Sequence, residues 1–301
     1  MSHFTVLVIG EDYDALLAPF QENNMGDCPR EYLEFTDMEE EWRAEFNERT
    51  VSMAKDRYGN LYDLPETAAP GQALDDCLVE KGQARVDVKI ADIGGEAFEE
   101  WAKEMYGGKQ PDSKTGRCGY WENPNAKWDW YTLGGRWSGF MKVKPDHGDV
   151  VRTRPRQGGE SEESLVDDEL WVDQCRKGDL DMEGMVADRV EDAHRKWQEA
   201  EEKYPLNHGM STASRMAAIR DRQWDCGVGP NTTLESMLKD AQVPFCTFAV
   251  LKDGQWYEKG SMGWFGSVAG NKTDAQWSDE FIKLLDSLPD DALLFIVDCH
   301  I

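Results

Sequence analysis

HFTVLVI, the run from His3 to Ile9, is apolar and β-branched and stops at Gly10. A short run of this kind, bounded by a glycine, predicts a buried strand. A second run, ALLFIVDC at residues 292–299, closes the chain and predicts a fully apolar strand. We expect the strands from the two ends of the chain to meet in one sheet, with a helical middle inserted between them.

Between the terminal strands the sequence predicts several helices and one hairpin. Residues 181–204 repeat apolar side chains at helical spacing. The pair Asp253-Gly254 predicts a tight turn between two strands. Thr36 and Thr273 are each followed three residues later by Glu or Gln, which is the spacing of a capping box and predicts the start of a helix.

These elements predict an α+β fold: a mixed or antiparallel sheet formed by terminal and central strands, with a helical insertion. The segment QGGESEE at residues 157–163 has the composition of a flexible linker, so we place a domain boundary there. Residues 1–156 would form an N-terminal α/β region that contains a Trp- and Gly-rich strand block. Residues 157–301 would form an acidic helical region followed by a hairpin, a helix and a strand.

The charge balance restricts the class of partner. The chain of 301 residues has 59 acidic and 33 basic side chains and a formal net charge of −26. Such a field repels nucleic acid and anionic membranes, because binding a duplex requires Lys and Arg to displace counterions from phosphates. It attracts a basic patch on a partner protein, and if that patch holds DNA the acidic protein competes with the DNA. Plain solubility or a salt-adapted host would explain the same composition.

The cysteine and histidine patterns argue against a redox, zinc or catalytic site. Seven cysteines are widely spaced without a C-x-x-C pair, which is typical of reduced thiols in a cytosolic protein. Five histidines are scattered, with no H-E-x-x-H or other metal-ligand spacing. The apolar start of the chain is too short to span a membrane and has no basic segment before it. We therefore expect a cytoplasmic protein with no catalytic residues, no metal and no cofactor.

The most unusual segment is KWDWYTLGGRWSGFMKV, residues 127–143. Its alternation predicts a strand, and Gly134-Gly135 predicts a bulge or a tight turn. In one interpretation the segment stacks on a ligand and binds its phosphate or carboxylate through an arginine, and the ligand site consists of Trp128, Trp130, Arg136 and Trp137. In the other interpretation it is a densely packed strand in which Arg136 forms a structural ion pair.

A glycine-rich segment, GSMGWFGSVAGNKT at residues 260–273, precedes a predicted helix. Glycines ahead of a helix can bind an anion through backbone N–H groups, although this spacing matches no phosphate-binding motif. We expect instead a mobile connection that offers Trp264 and Phe265 to a partner. A small-molecule or nucleotide-binding enzyme that uses Arg136 and the segment 260–273 is the alternative function.

The opening HFTVLVIGED and the block WDWYTLGGRW resemble those of a group of bacteriophage and prophage proteins with a W-x-W-Y-x-x-G-G-R-W block. Within that group the chain resembles the Gabija anti-defence family, phage proteins that block a bacterial nuclease–helicase defence complex. The similarity covers residues 2–10 and 127–139. It implies a protein that oligomerises around the defence complex in the host cytoplasm and stops it recognising and cutting DNA, with no catalytic residues of its own.

Two acidic segments are the candidate partner-binding faces. One contains Glu39, Glu40 and Glu41, and the other contains Glu160, Glu162 and Glu163. Charge speeds association more than it strengthens binding, so an apolar anchor is also expected. Trp264 and Phe265 are the aromatic candidates for that anchor.

Overall fold

The computed structural model describes residues 2–64, 74–93, 97–105, 112, 114–153, 170–207, 209–263 and 267–301. The chain forms two compact units. One comprises Met1–Pro29 together with Asn125–Ile301, and the other comprises Arg30–Pro124. The predicted boundary at residues 157–163 lies outside the described residues, and the two units divide the chain at other positions.

The strands, in chain order, are β1 (His3–Ile9), β2 (Glu34–Asp37), β3 (Thr50–Asp56), β4 (Leu61–Tyr62), β5 (Gln83–Lys89), β6 (Gly119–Glu122), β7 (Trp130–Leu133), β8 (Met141–Lys142), β9 (Trp171–Val172), β10 (Gln174–Arg176), β11 (Ala249–Lys252), β12 (Gln255–Glu258), β13 (Ser261–Met262), β14 (Val268–Ala269) and β15 (Leu293–His300). The helices are α1 (Tyr13–Leu17), α2 (Glu39–Glu48), α3 (Leu74–Glu80), α4 (Ile90–Ile93), α5 (Phe98–Met105), α6 (Met182–Lys203), α7 (Thr212–Cys226), α8 (Leu234–Asp240) and α9 (Asp274–Asp286).

The main sheet joins both ends of the chain, as the sequence predicts. Its strand order is β10-β15-β1-β11-β12, and β7 pairs with β15 as well. Strand β1 is parallel to β11 and antiparallel to β15, while β7 and β10 are antiparallel to β15. The sheet is therefore mixed, and the predicted α+β fold is confirmed.

Both faces of the main sheet are packed, which explains why its central strands are apolar at nearly every position. Helices α6 and α9 cover one face, where Phe281 packs with Leu7 and Ile296. The other face packs against α1 and the residues that precede β7, with Leu17 and Trp128 in that cluster. Because neighbouring residues of a strand point to opposite faces, a strand covered on both sides must be apolar throughout.

Local sequence signals set the ends of several elements. Thr273 caps α9 and forms the predicted capping box with Gln276. Asp253 and Gly254 join β11 to β12 with φ angles of 52° and 73°, the left-handed conformation that this turn requires. The predicted cap at Thr36 is wrong: Thr36 lies inside β2, and the side chain of Asp37 accepts the hydrogen bond from the first amide of α2.

The inserted unit has its own core and its own strands. Strands β4, β3 and β5 form one antiparallel sheet, and β2 and β6 form a second ladder. Helices α2 and α5 contribute Trp42, Phe46, Phe98 and Trp101 to the core of the unit. Among the described residues, no helix is long and apolar enough to cross a membrane.

Candidate functional site

Three rings lie side by side at one end of the main sheet. In the strand register, His3 of β1 faces His300 of β15, and His300 faces Trp130 of β7. Residues directly opposite one another share a face of the sheet, so the three side chains form a row, called here the histidine row. The next row on the same face contains Asp298, opposite Thr5 and Thr132. A polar patch thus continues the face that α6 and α9 cover elsewhere.

Each histidine of the row is paired with a carboxylate. His3 Nδ1 lies 2.8 Å from an oxygen of Asp298, and His300 Nδ1 lies 2.5 Å from an oxygen of Asp129. A carboxylate only accepts hydrogen bonds, so each pairing assigns a proton to Nδ1. In the described part of the chain neither Nε2 atom forms a hydrogen bond. Both imidazoles are therefore oriented and keep one nitrogen available.

The three rings of the row are in mutual contact. The centroids of His3 and His300 are 4.9 Å apart, with the rings edge to face. Trp130 stacks on His300 at 5.1 Å with an interplanar angle of 19°, and its ring meets His3 at 5.2 Å. His300 is buried, the side chain of His3 is 11% exposed, and Trp130 is 40% exposed. The row is thus buried at its centre and open to solvent at Trp130.

The Gly-Gly turn after β7 wraps around Asp298. Gly134 and Gly135 have φ angles of 68° and 55°, which side-chain-bearing residues rarely adopt. A Cβ atom on Gly135 would lie 2.5 Å from the Cβ of Asp298, so glycine is required for this approach. The N–H of Arg136 donates to the second oxygen of Asp298 at 3.0 Å. One carboxylate therefore holds both His3 and the backbone of Arg136.

A second carboxylate, Asp173, anchors the far side of the turn. Asp173 is fully buried. It accepts hydrogen bonds from the N–H groups of Gly139 and Thr153 at 2.5 and 2.6 Å. The hydroxyl of Thr153 donates to it at 2.8 Å. The hydroxyl of Ser138 donates to the carbonyl of Thr153 at 2.6 Å, and its oxygen lies 3.2 Å from Asp173. Three donors satisfy this buried charge, so its role is to hold the turn in place.

The Trp- and Gly-rich block divides between the core and the surface. Trp128 is buried on the face of the main sheet opposite the histidine row, and its indole N–H donates to the carbonyl of Leu17 at 3.1 Å. Trp137 is half-buried and packs against the core cluster to which α9 contributes. The structure therefore leaves Trp130 and Arg136 as the exposed members of the four-residue ligand site that the sequence predicts.

Arg136 is exposed and forms no ion pair within the described residues, which contradicts the predicted structural ion pair. The segment 260–273 contains the short ladder β13–β14, and Lys272 pairs with Glu280 at 2.7 Å. Trp264 and Phe265 lie outside the described residues, as do Glu160, Glu162 and Glu163.

The three glutamates that begin α2 differ in their surroundings. Glu39 pairs with Arg43 at 2.6 Å and accepts the N–H of Cys118 at 2.8 Å. Partial burial acts to raise the pKa of Glu39, but these hydrogen bonds and the Arg43 charge outweigh it, so its pKa is lowered. Glu40 is 93% exposed and Glu41 is exposed. Glu40 and Glu41 are available to a partner, whereas Glu39 has a structural role.

Helix α7 carries two strongly exposed apolar side chains. Trp224 is 81% exposed and Met216 is 64% exposed. Arg220 lies midway between them at four-residue spacing and pairs with Asp221 at 2.7 Å. The buried side of the helix carries Ala218, Arg222 and Cys226. Met216, Arg220 and Trp224 form what we call the α7 face.

Sequence comparison with family models and with curated proteins found no match, and comparison with solved structures found none either. Among the described residues, no group of three or more His, Cys, Asp or Glu side chains has the arrangement of a metal site. The geometry itself is therefore the basis for a functional interpretation.

Proposed function

We propose that this protein is a phage-encoded acidic inhibitor that binds a host anti-phage nuclease–helicase complex of the Gabija type. It blocks recognition and cleavage of DNA by that complex in the cytoplasm of the host cell. The observation that carries the proposal is the α7 face, where Trp224 is 81% exposed on a chain of net charge −26.

The charge supports association with a protein that handles DNA. A nuclease presents basic surfaces to the phosphate backbone, and an acidic protein is steered toward such surfaces. Glu40 and Glu41 lie in the first turn of α2, where the helix dipole also stabilises them. Because they are exposed and acidic, they are the described residues best placed to replace phosphates in a basic groove.

The α7 face supports tight binding. Trp, Tyr and Arg dominate the energetic hot spots of protein interfaces. Met is enriched in the cores of such interfaces. An exposed Trp next to an Arg and a Met combines these residue types on a rigid helix. Charge brings the partners together, and burial of the α7 face keeps them together. Such inhibition needs no catalytic residue, and the family resemblance adds oligomerisation around the target.

Truncating the α7 face is expected to weaken inhibition. Replacing Trp224 by alanine should raise the concentration for half-maximal inhibition of DNA cleavage by about 30-fold, the size of a hot-spot loss of about 2 kcal/mol. The measurement is a titration of the variant into a Gabija cleavage reaction at physiological salt. Tyr58→Ala removes another exposed aromatic side chain and should change nothing. Equal inhibition by wild type and Trp224→Ala would exclude the α7 face as the anchor.

Reversing the charge at the start of α2 is expected to slow association. The pair Glu40→Lys and Glu41→Lys should lower the association rate about 10-fold at low salt, and the difference should shrink as salt is added. Surface plasmon resonance over a salt series gives both quantities. The neutral pair Glu40→Gln and Glu41→Gln should fall between wild type and the reversed variant. An association rate that changes neither with the substitutions nor with the salt concentration would show that the charges of α2 do not steer the protein to its target.

A further inference from the structure

We propose that the exposed edge of the histidine row is a binding site for a nucleoside monophosphate. This site is separate from the α7 face, and it goes beyond the proposed inhibition of a nuclease. The residues that carry it are Trp130, Arg136 and His3. They supply, in that order, a ring to stack on a base, a cation for the phosphate and a hydrogen-bonding nitrogen for a hydroxyl or amino group.

Trp130 provides the stacking surface. One part of the indole stacks on His300, which holds the ring in place, and 40% of the residue remains exposed. A half-exposed indole held by packing loses little conformational entropy when a ligand stacks on it. Bases stack on such aromatic platforms irrespective of base identity, because every base has a π face.

Arg136 provides the cation. Its N–H binds one oxygen of Asp298 at 3.0 Å, and the other oxygen of that carboxylate is 2.8 Å from His3. The ring of His3 in turn meets Trp130 at 5.2 Å. The arginine backbone and the stacking ring are thus linked through two residues, Asp298 and His3. A guanidinium attached there can reach a phosphate carried by a stacked nucleoside.

The guanidinium of Arg136 is free to bind a ligand. The chain has 59 acidic side chains against 33 basic ones, so a cation on its surface has many possible partners. Arg43, Arg195 and Arg220 are exposed and form ion pairs. Arg85 and Arg215 are exposed and form none within the described residues. Arg136 forms none within the described part of the chain. Its backbone is held by Asp298 while its guanidinium stays free.

His3 provides directed hydrogen bonding. Asp298 orients the ring by accepting the hydrogen bond from Nδ1–H, which leaves Nε2 to accept a hydrogen bond from a hydroxyl or amino group. The charges of Asp298 and Asp129 beside the row oppose the binding of a bare anion. A phosphate alone should therefore bind weakly, and a ligand that adds base stacking should bind better.

The test is isothermal titration calorimetry of the full chain with AMP, GMP, CMP, UMP and inorganic phosphate. We expect at least one nucleotide to bind with a dissociation constant below about 1 mM, and phosphate to bind about 10-fold more weakly. Arg136→Ala and Trp130→Ala should each weaken nucleotide binding about 10-fold. Trp130→Phe keeps a stacking ring and should bind nearly as wild type does.

Arg220→Ala and Trp224→Ala are matched controls, because they remove the same residue types from α7. They should leave nucleotide binding unchanged. The proposal is overturned if none of the four nucleotides binds below about 1 mM, or if Arg136→Ala binds like wild type. It is also overturned if phosphate binds as well as the nucleotides. Inhibition of DNA cleavage is measured in a separate assay, so the result of the nucleotide titration neither supports nor contradicts the proposed inhibitor function.

Discussion

Replacing Asp173 by alanine is expected to lower the free energy of unfolding by about 4 kcal/mol. Asp173 is fully buried and accepts three hydrogen bonds, two of them from backbone N–H groups. Alanine leaves all three donors without this acceptor, and each buried donor without a partner costs about 1–3 kcal/mol before relaxation. Water entering the cavity would recover part of that loss.

Urea unfolding followed by tryptophan fluorescence measures the effect of Asp173→Ala. Asp146→Ala removes an exposed carboxylate from the same unit and should stay within about 0.5 kcal/mol of wild type. Asp173→Asn keeps one acceptor oxygen but turns an NH₂ group toward backbone donors, so it should fall between wild type and alanine. A loss below about 1 kcal/mol for Asp173→Ala would contradict the anchoring role.

Alkaline pH is expected to destabilise the protein through its buried thiols. Burial raises the pKa of Cys175 from 9.0 to about 12, with a smaller contribution from Asp179. Burial, with the charge of Asp298, raises the pKa of Cys299 well above 9.0. A group with a raised folded-state pKa contributes its full stability below the unfolded pKa and loses it as pH rises. At pH 10.5, Cys175 alone should account for a loss of about 2 kcal/mol, since each pKa unit is worth about 1.4 kcal/mol.

The control for the alkaline effect is Cys175→Ala. Between pH 8 and pH 10.5 the variant should lose about 2 kcal/mol less than wild type, whatever its stability at pH 8. Urea unfolding at both pH values, with a reductant present, gives the two differences. Equal losses in wild type and variant would show that Cys175 ionises as readily in the folded chain as in the unfolded one.

Elements specified by local sequence were predictable. The buried strands β1 and β15, the capping box at Thr273 and the Asp253-Gly254 turn depend on residues within a few positions of one another. Thr36 shows the limit of such signals. It has the spacing of a cap, but pairing between β2 and β6 places it in a strand, so a long-range contact overrides the local pattern.

The candidate site was only partly predictable, because it depends on strand register. Trp130 and Arg136 were singled out by their unusual segment. The histidine row was missed, since His3 and His300 are separated by almost the whole chain and meet only through the β1–β15 pairing. Residues 292–299 are predicted as a fully apolar strand, although Asp298 lies within that run. The signal that could have indicated the site was an aspartate inside a strand predicted to be buried, because a buried charge needs hydrogen-bonding partners.

The α7 face was missed for a different reason. The sequence predicts a helix there, but it does not say which side of a short amphipathic helix is covered when both sides carry apolar residues. In the structure Ala218 and Cys226 are buried, and Met216 and Trp224 are exposed. Packing of small residues against the unit thus leaves the large ones to solvent.

The most direct test of the proposed inhibitor function is to mix the purified protein with the Gabija nuclease–helicase complex. The mixture is then analysed by size exclusion with light scattering and by a DNA cleavage assay. We predict a discrete assembly heavier than the defence complex alone, with cleavage abolished. Elution of the protein at its own mass, with cleavage intact, would contradict the proposed function.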